Sequence, residues 1–414
     1  MAIQTSNTVV LRAVRENNGW GEVYSGTPTV TPMRYTSEDI KHVKTTRMSE
    51  CMRADRQRLY NFETGQDVSG TISTELAPNE WATLIGGAVG ADLATYTFKT
   101  LTESMTFTAG ASATVVTTST SWVTAGFAAG MWVKFSGCAN AANNNAYLIS
   151  SIGGAGHKTL TITLDATSIV TETVSATAVG RIFKSGTTLQ SWVLEKYFPD
   201  HASPSYMGFN GCRVNEWSLR AVAREIITHS FGIVGKRGWS STTGTATGEW
   251  FSGLSPSRGT TYSTAEPITA SANVATIYEG GSYPAMAALS NSVREITLNV
   301  NNNMRSLPKV SVKTPAGVQP GWHDVTGTMV VYFEDSTLVG KLLNHTATML
   351  RIKATSSTGN GIIVTLPNVR YTGETPTVGG ANQDVVVPLN FVAMYDSTAA
   401  CTIQVDCLGA DYTI

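Results

Sequence analysis

Residues 67–76 read DVSGTISTEL and residues 324–333 read DVTGTMVVYF. Asp, Val, Gly and Thr recur in place, Ser faces Thr, Ile faces Met, and the offset is 257 throughout. The same offset carries on downstream. APNEWATLIGGAVG (77–90) falls on EDSTLVGKLLNHTA (334–347), with Trp81 on Leu338 and Ile85 on Leu342. That is an i, i+4 apolar pair, the mark of a short helix with one buried face. Asn79 falls on Ser336, and both residue types cap helix N-termini. A strand, a cap and a helix matching without a gap predict two copies of one β-module.

Upstream, VVLRAVRENN (9–18) lies over ITLNVNNNMR (296–305), both alternating like strands. Near the end of each half, EIITHSFGIVGKR (225–237) matches DVVVPLNFVAMYD (384–396), placing Pro388 on His229. A proline there predicts an edge position or a bulge, because it has no N–H for the ladder. In the second half the helix leads straight into MLRIKAT (349–355). In the first, the matching strand SWVLEKYF (191–198) comes roughly a hundred residues after the helix. An insert therefore separates them, and its short alternating strands broken by Gly and Asn turns predict a small all-β domain. The expected organisation is a first module of 1–100 plus 186–236, an inserted β domain of 101–185, an irregular Gly/Ser/Thr-rich linker of 237–290, and a second module of 291–414.

The bulk numbers limit function. The chain has 414 residues, formal net charge -1 and only 14% charged residues, against about 25% in typical soluble domains. The 38 glycines and abundant Thr, Ser and Val suit strands and turns. The charge balance excludes a basic nucleic-acid binder. MAIQTSNTVVLRAV has no basic and apolar regions of a secretory signal, and no apolar run reaches the roughly 18 residues of a membrane helix. Five cysteines without CxxC spacing predict thiols of a reducing compartment, Cys401–Cys407 being the one pairing the sequence leaves open.

Against this low charge, 34–58 stands out: RYTSEDIKHVKTTRMSECMRADRQR. A loop this long inside a compact module is either functional or disordered, and guanidinium-rich, mixed-sign segments suit interfaces. A solvated loop is the bland alternative. Catalytic patterns are missing: no GxxxxGK[ST], HExxH or GxSxG occurs. His323–Asp324 resembles a base pair, yet Asp324 recurs as Asp67 after Gln66, and no nucleophile accompanies it. GGAVG (86–90) ends a helix rather than opening one, so it cannot cradle phosphate. No cofactor or metal is expected.

These segments together resemble the tail tube proteins of long, flexible-tailed bacteriophages. The resemblance rests on SEDIKHVKTTRMSECMRADRQ, VSGTISTEL with NEWATLIGGAVG, FNGCRVNEWSLRAVAREIITHSFGIVGKR (209–237), and the run ITLNVNNNM, VTGTMVVYFED, TLPNVRYTGE, QDVVVPLNFVA. It covers about 300 residues outside insert and linker. It implies a mainly β fold, two tandem modules each a β-sandwich with one helix, and a structural rather than enzymatic protein of the virion tail, assembled in the bacterial cytoplasm. Its implied partners are further copies of itself in stacked rings, the tape measure protein, and tail terminator and tip proteins, with double-stranded DNA passing through. With two modules per chain, a trimeric ring of pseudo-sixfold symmetry is expected, hexameric rings being the alternative.

The resemblance also carries the charged loop over as an inter-ring contact: Arg34, Glu38, Asp39, Lys41, Lys44, Arg47, Glu50, Arg53, Asp55, Arg56 and Arg58. Strand alternation places Ser69, Thr71, Ser73 and Glu75, with Thr326 and Thr328 in the second copy, on the channel-facing side. A second reading is a sugar-binding adhesin using Trp122, Trp132, Trp239 and Trp250 as stacking platforms. A third, a glycosidase, lacks a recognisable carboxylate pair.

Overall fold

The computed structural model describes residues 3–163, 168–201, 205–241, 257–271, 274–283, 285–289, 292–373, 375–376, 378 and 383–409. Among the described residues strands dominate, with two seven-residue α-helices, Ala82–Ala88 (α1) and Thr337–Leu343 (α2).

One antiparallel sheet runs through both halves of the chain. From its edge the order is Lys41–Met48, Asn61–Glu75, Thr228–Gly235 and the C-terminal half of Ser205–Val222. It continues with Val293–Asn301, Asp324–Tyr332, Val386–Ala393 and the C-terminal end of Gly361–Thr372. In each half the longest strand bends out of this sheet into a second one. There Ser205–Val222 pairs with Trp192–Phe198 and Arg237–Ser241. Gly361–Thr372 pairs with Thr348–Thr355 and Gln404–Leu408 in the same manner. Val10–Arg15 and Thr29–Met33 extend the first of these outer sheets, and Val274–Ser282 and Ala285–Ala288 the second. Each half is thus a sandwich that shares one bent strand between its layers. Its interior holds the helix side: Trp81, Ile85, Phe231 and Trp217 in the first half, Leu338, Met329 and Tyr371 in the second.

The repeat is visible in burial as well as in letters. Val68, Ile72 and Thr74 are buried, as are Val325, Met329 and Val331 at an offset of 257. Thr228–Gly235 and Val386–Ala393 share one alternation at an offset of 158. That register corrects the expected match of Pro388 with His229: Pro388 takes the place of Ser230, and Val387 that of His229. A one-residue slip moves every side chain to the other face, and a proline inside the core face is thereby avoided. The ladder to Gly361–Thr372 covers only Asn390–Ala393, so Pro388 lies past its end.

Three further expectations change. The upstream pairing of 9–18 with 296–305 does not hold: Val10–Arg15 occupies the position of Val274–Ser282, and Val293–Asn301 that of residues 35–43. Period-2 alternation is the same in every half-buried strand, so it could not tell these apart. The stretch 237–290 is not an irregular linker. Its described part contains Arg237–Ser241, Ser257–Arg258, Val274–Ser282 and Ala285–Ala288, all paired into the sandwiches. The helix caps also differ, since Ser336, at the cap position of the second helix, makes no side-chain cap bond. Asp335 Oδ1 instead accepts from the Thr337 N–H at 2.7 Å, and Asn79 adopts φ 60° two residues before the cap position.

Lys99–Thr108 to Glu172–Lys184 build a domain around its own core of Phe107, Trp122, Phe127, Phe135 and Tyr147. Although spliced into the first half, this domain is anchored on the second. Arg181–Lys184 pairs with Gln404–Cys407, and Trp132 is buried with Ile363 and Leu408. Asp406 accepts from the Trp132 N–H at 3.0 Å, and Gln404 donates to the Gly130 carbonyl at 2.8 Å. All five cysteines are free thiols, and only Cys51 is exposed.

Candidate assembly interface

The charged segment 34–58 is a hairpin arm rather than a loop. Lys41–Met48 pairs with Asn61–Ser69, and Ser49 N–H still reaches the Tyr60 carbonyl at 2.9 Å before the tip turns. The ladder residues Lys44–Met48 are exposed on both faces, so no alternation marks them as a strand.

The expected interface residues divide by depth. Arg34 points inward, where its Nε and Nη2 fork onto the buried Glu80 carboxylate at 2.8 and 2.5 Å and Nη2 also reaches the Ala265 carbonyl at 2.8 Å. Glu38 holds Lys196 Nζ at 2.5 Å, and Asp39 accepts from the Thr71 N–H. These three fasten the root of the arm to the sandwich. Lys41 and Lys44 lie along the ladder, Lys44 facing Glu63 at 3.6 Å. Arg47, Glu50, Arg53, Asp55, Arg56 and Arg58 are exposed at and near the tip, where Arg53 meets Asp55 at 2.6 Å.

Sequence reasoning missed two parts of this surface. The arm carries exposed apolar side chains, Met48, Met52, Leu59, Tyr60 and Phe62, with Met52 99% exposed and Tyr60 stacked on Phe62. The signal was the LYNF stretch directly after the arginines. The second half also has an arm. Arg305–Leu307 pairs with Gly317–Gln319, and the rung Arg305↔Gln319 takes the place of Arg47↔Phe62. This second arm leans on the first module. Lys313 Nζ meets Glu63 at 3.0 Å, the Gln66 N–H donates to the Lys313 carbonyl at 2.9 Å, and Ser306 Oγ donates to Asp67 at 2.9 Å.

The large sheet presents a polar face away from its core. Ser69, Thr71, Ser73, Glu75, Thr326 and Thr328 all lie on it, half-buried or exposed, while their strand neighbours point inward. Adjacent strands add hydroxyls and amides: Ser218 and Ser230 meet at 2.7 Å, and Thr328 donates to Asn390 at 2.8 Å. Arg220 on this face is held by Glu225 at 3.2 Å and Glu295 at 3.0 Å.

Other candidates lose their site character. His323 is largely buried and bonded through Nδ1 to Asn302 at 2.9 Å, while Asp324 accepts from Asn303 at 2.7 Å. Burial lowers the His323 pKa, with Asp324 opposing. Trp122 and Trp132 are fully buried and Trp239 lies under the Arg237 guanidinium at 4.1 Å, so none of the three is an open sugar platform. Trp250 lies outside the described residues.

Two sandwich modules joined in one sheet, with an arm on each and a hydroxyl-rich face, define a mainly β-protein of two tandem modules. The family model for phage tail tube proteins matches residues 6–191 and again 183–393. The chain belongs to that family, whose members are structural components of the virion tail and assemble into a tube with other tail proteins. No individually curated protein matches the chain.

Proposed function

We propose that copies of this chain close into trimeric rings of pseudo-sixfold symmetry, and that the rings stack into the tube through which the phage genome leaves the virion. The observation that carries this is the junction between modules. Glu216–Val222 pairs with Glu295–Asn301 and makes one sheet of two modules. The strand occupying the place of Val293–Asn301 in the first module, Ser37–Glu38 and Lys41–Met48, pairs only with Asn61–Glu75 among the described residues. An open sheet edge promotes association until it is paired or covered. A neighbouring copy supplies the same junction again, and head-to-tail repetition closes as a ring.

Eight strand positions per copy give twenty-four in three copies. At about 4.8 Å per strand and about 40° tilt, such a barrel is roughly 40–50 Å across at the backbone, which leaves an aqueous channel. The face with Ser69, Thr71, Ser73, Glu75, Thr326 and Thr328 lines it. Sparse cations there suit passage without binding, since lysines and arginines would neutralise phosphates and hold the duplex. The arm tips at Glu50, Arg53, Asp55, Arg56 and Arg58 reach the adjacent ring. Tape measure protein occupies the channel before ejection, and terminator and tip proteins cap the ends of the stack. Cryo-electron microscopy of assembled tubes tests this: three copies per ring are expected, and six copies per ring overturn the trimer.

A further inference from the structure

The junction inside one chain is a template for the junction between chains. Resting on the ring reading above, we infer that the root of the first arm lies sideways across the second module of the neighbouring copy in the same ring, covering Trp322.

The repeat makes the correspondence explicit. On the first module, the second arm docks at three places. Ser306 bonds Asp67, the Lys313 carbonyl accepts from Gln66 beside Gly65, and Arg213 donates through Nη1 to the Val318 carbonyl. Val318 is fully buried by this packing. The second module repeats the receiving surface. Asp324 takes the place of Asp67 and Trp322 that of Gly65 at the offset of 257. Arg370 takes that of Arg213, since Arg213↔Val234 and Arg370↔Val392 are equivalent rungs. Among the described residues the Trp322 indole stays open, 85% exposed, with Asp324 exposed beside it, while Arg370 donates to the His345 carbonyl at 2.8 Å.

The docking element is repeated too. The rung Met48↔Asn61 takes the place of Ser306↔Val318. Unlike Val318, this rung is open to solvent, with Met48 55% and the neighbouring Phe62 56% exposed. The two surfaces are complementary in chemistry. In the contact within the chain, Ser306 at the root of the second arm meets Asp67, and Lys313 near its tip lies beside Gly65 and Gln66. In the second module an indole, Trp322, stands in the place of Gly65, and the first arm is edged by the exposed side chains Met48, Tyr60 and Phe62. Aromatic and thioether groups of this kind dominate the buried centres of protein interfaces. The roots then bind within a ring, and the tips around Met52 remain available for the next ring.

Cysteine pairs test this in a Cys51→Ser background under mild oxidation. Ser306→Cys with Asp67→Cys is the internal control and closes within single chains. Met48→Cys with Asp324→Cys is expected to join copies in a ladder that ends at a closed ring. Rings that form without this crosslink, while the control closes, overturn the lateral contact and leave the ring intact. Crosslinks that run on past one ring also overturn it. A chain that makes neither rings nor this crosslink overturns both readings. Trp322→Ala supplies a second measurement, since an exposed side chain can be removed without unfolding the monomer. Its assembly is expected to need at least about tenfold more protein, with the monomer melting temperature unchanged; unchanged assembly counts against the contact.

Discussion

Arg220 and Glu295 meet at 3.0 Å across the line where the two modules join. Both are partly exposed, at 51% and 31%, and an ion pair in that setting contributes about 0–1 kcal/mol. Three residues earlier on the same strand, Trp217 pairs with Val300 across the same line and is fully buried. Truncating a buried Trp costs about 3–5 kcal/mol. Burial therefore holds the junction and the ion pair adds little. Trp217→Ala should lower the urea midpoint severely, whereas Arg220→Ala should shift it by less than about 1 kcal/mol equivalent. Equal losses would contradict this order.

Gly70 and Gly327 are the repeated glycines of the opening phrase, and both are required by close approach rather than by a ligand. A Cβ at Gly327 would stand 2.2 Å from the Thr297 carbonyl oxygen and 2.3 Å from Phe391 Cζ. At Gly70 it would meet Ile40 Cα at 2.4 Å. Overpacking of this kind costs about 1–3 kcal/mol. Gly327→Ala should be destabilised by that amount in urea unfolding, and Thr326→Ala, one residue away on the open face, should change little.

His229 sits between Trp81 and Phe231, with ring centroids at 6.1 and 5.0 Å. Burial pushes its pKa down to about 3 from 6.5. The folded value lies below the unfolded one, so the unfolded chain binds the proton more readily. Stability is retained above pH 6.5 and is lost as pH falls from there toward 3. The loss attributable to this group is on the order of 3–5 kcal/mol across the full window. Unfolding at pH 7.5, 5.5 and 4.5 should show His229→Leu losing less stability with acid than the parent chain. Parallel losses in the two proteins would remove His229 as the cause.

The duplication was legible because burial on one face fixes the register of a strand, so Val68, Ile72, Val325 and Met329 had to recur in step. The helix was legible from Trp81 and Leu338 for the same reason. The arms were not, because a ladder wet on both faces shows no alternation and its charges resemble a loop. The second arm was hidden further, since PKVSVKTPAG shares little composition with the first arm's tip. The strands within 237–290 were masked by Gly and Ser, which are poor strand formers and enter these sheets through their neighbours. Likewise, the contact of the insert with the second module depends on Trp132, Gln404 and Asp406, which lie far apart in sequence.

The arm itself makes a prediction for hydrogen exchange. Its ladder is hydrogen-bonded from Lys41↔Ser69 to Met48↔Asn61, but residues 44–48 are exposed throughout. Amides of 41–48 should exchange more slowly than those of the tip, 50–59, in the isolated chain. Both groups should gain protection in assembled tubes, because polar segments with few core contacts order on binding. Strong protection of the tip in the monomer would show that assembly is not what orders it.

Glu75 closes the polar face of its strand, opposite Thr228 on the neighbouring one. If that face lines the channel, Glu75→Lys replaces repulsion of passing phosphates by attraction. In the proposed rings of three copies, repeated along a stack, one substitution would become a column of new phosphate contacts. Each such contact releases counterions and steepens the salt dependence of binding. Tubes should still form, since Glu75 is only half-buried and lies off the core side. Ejection measured by dye release from purified particles should slow, most strongly at low salt, and recover as salt is raised. Ejection that is unchanged at both salt levels would place Glu75 outside the channel and assign this face of the sheet to another contact.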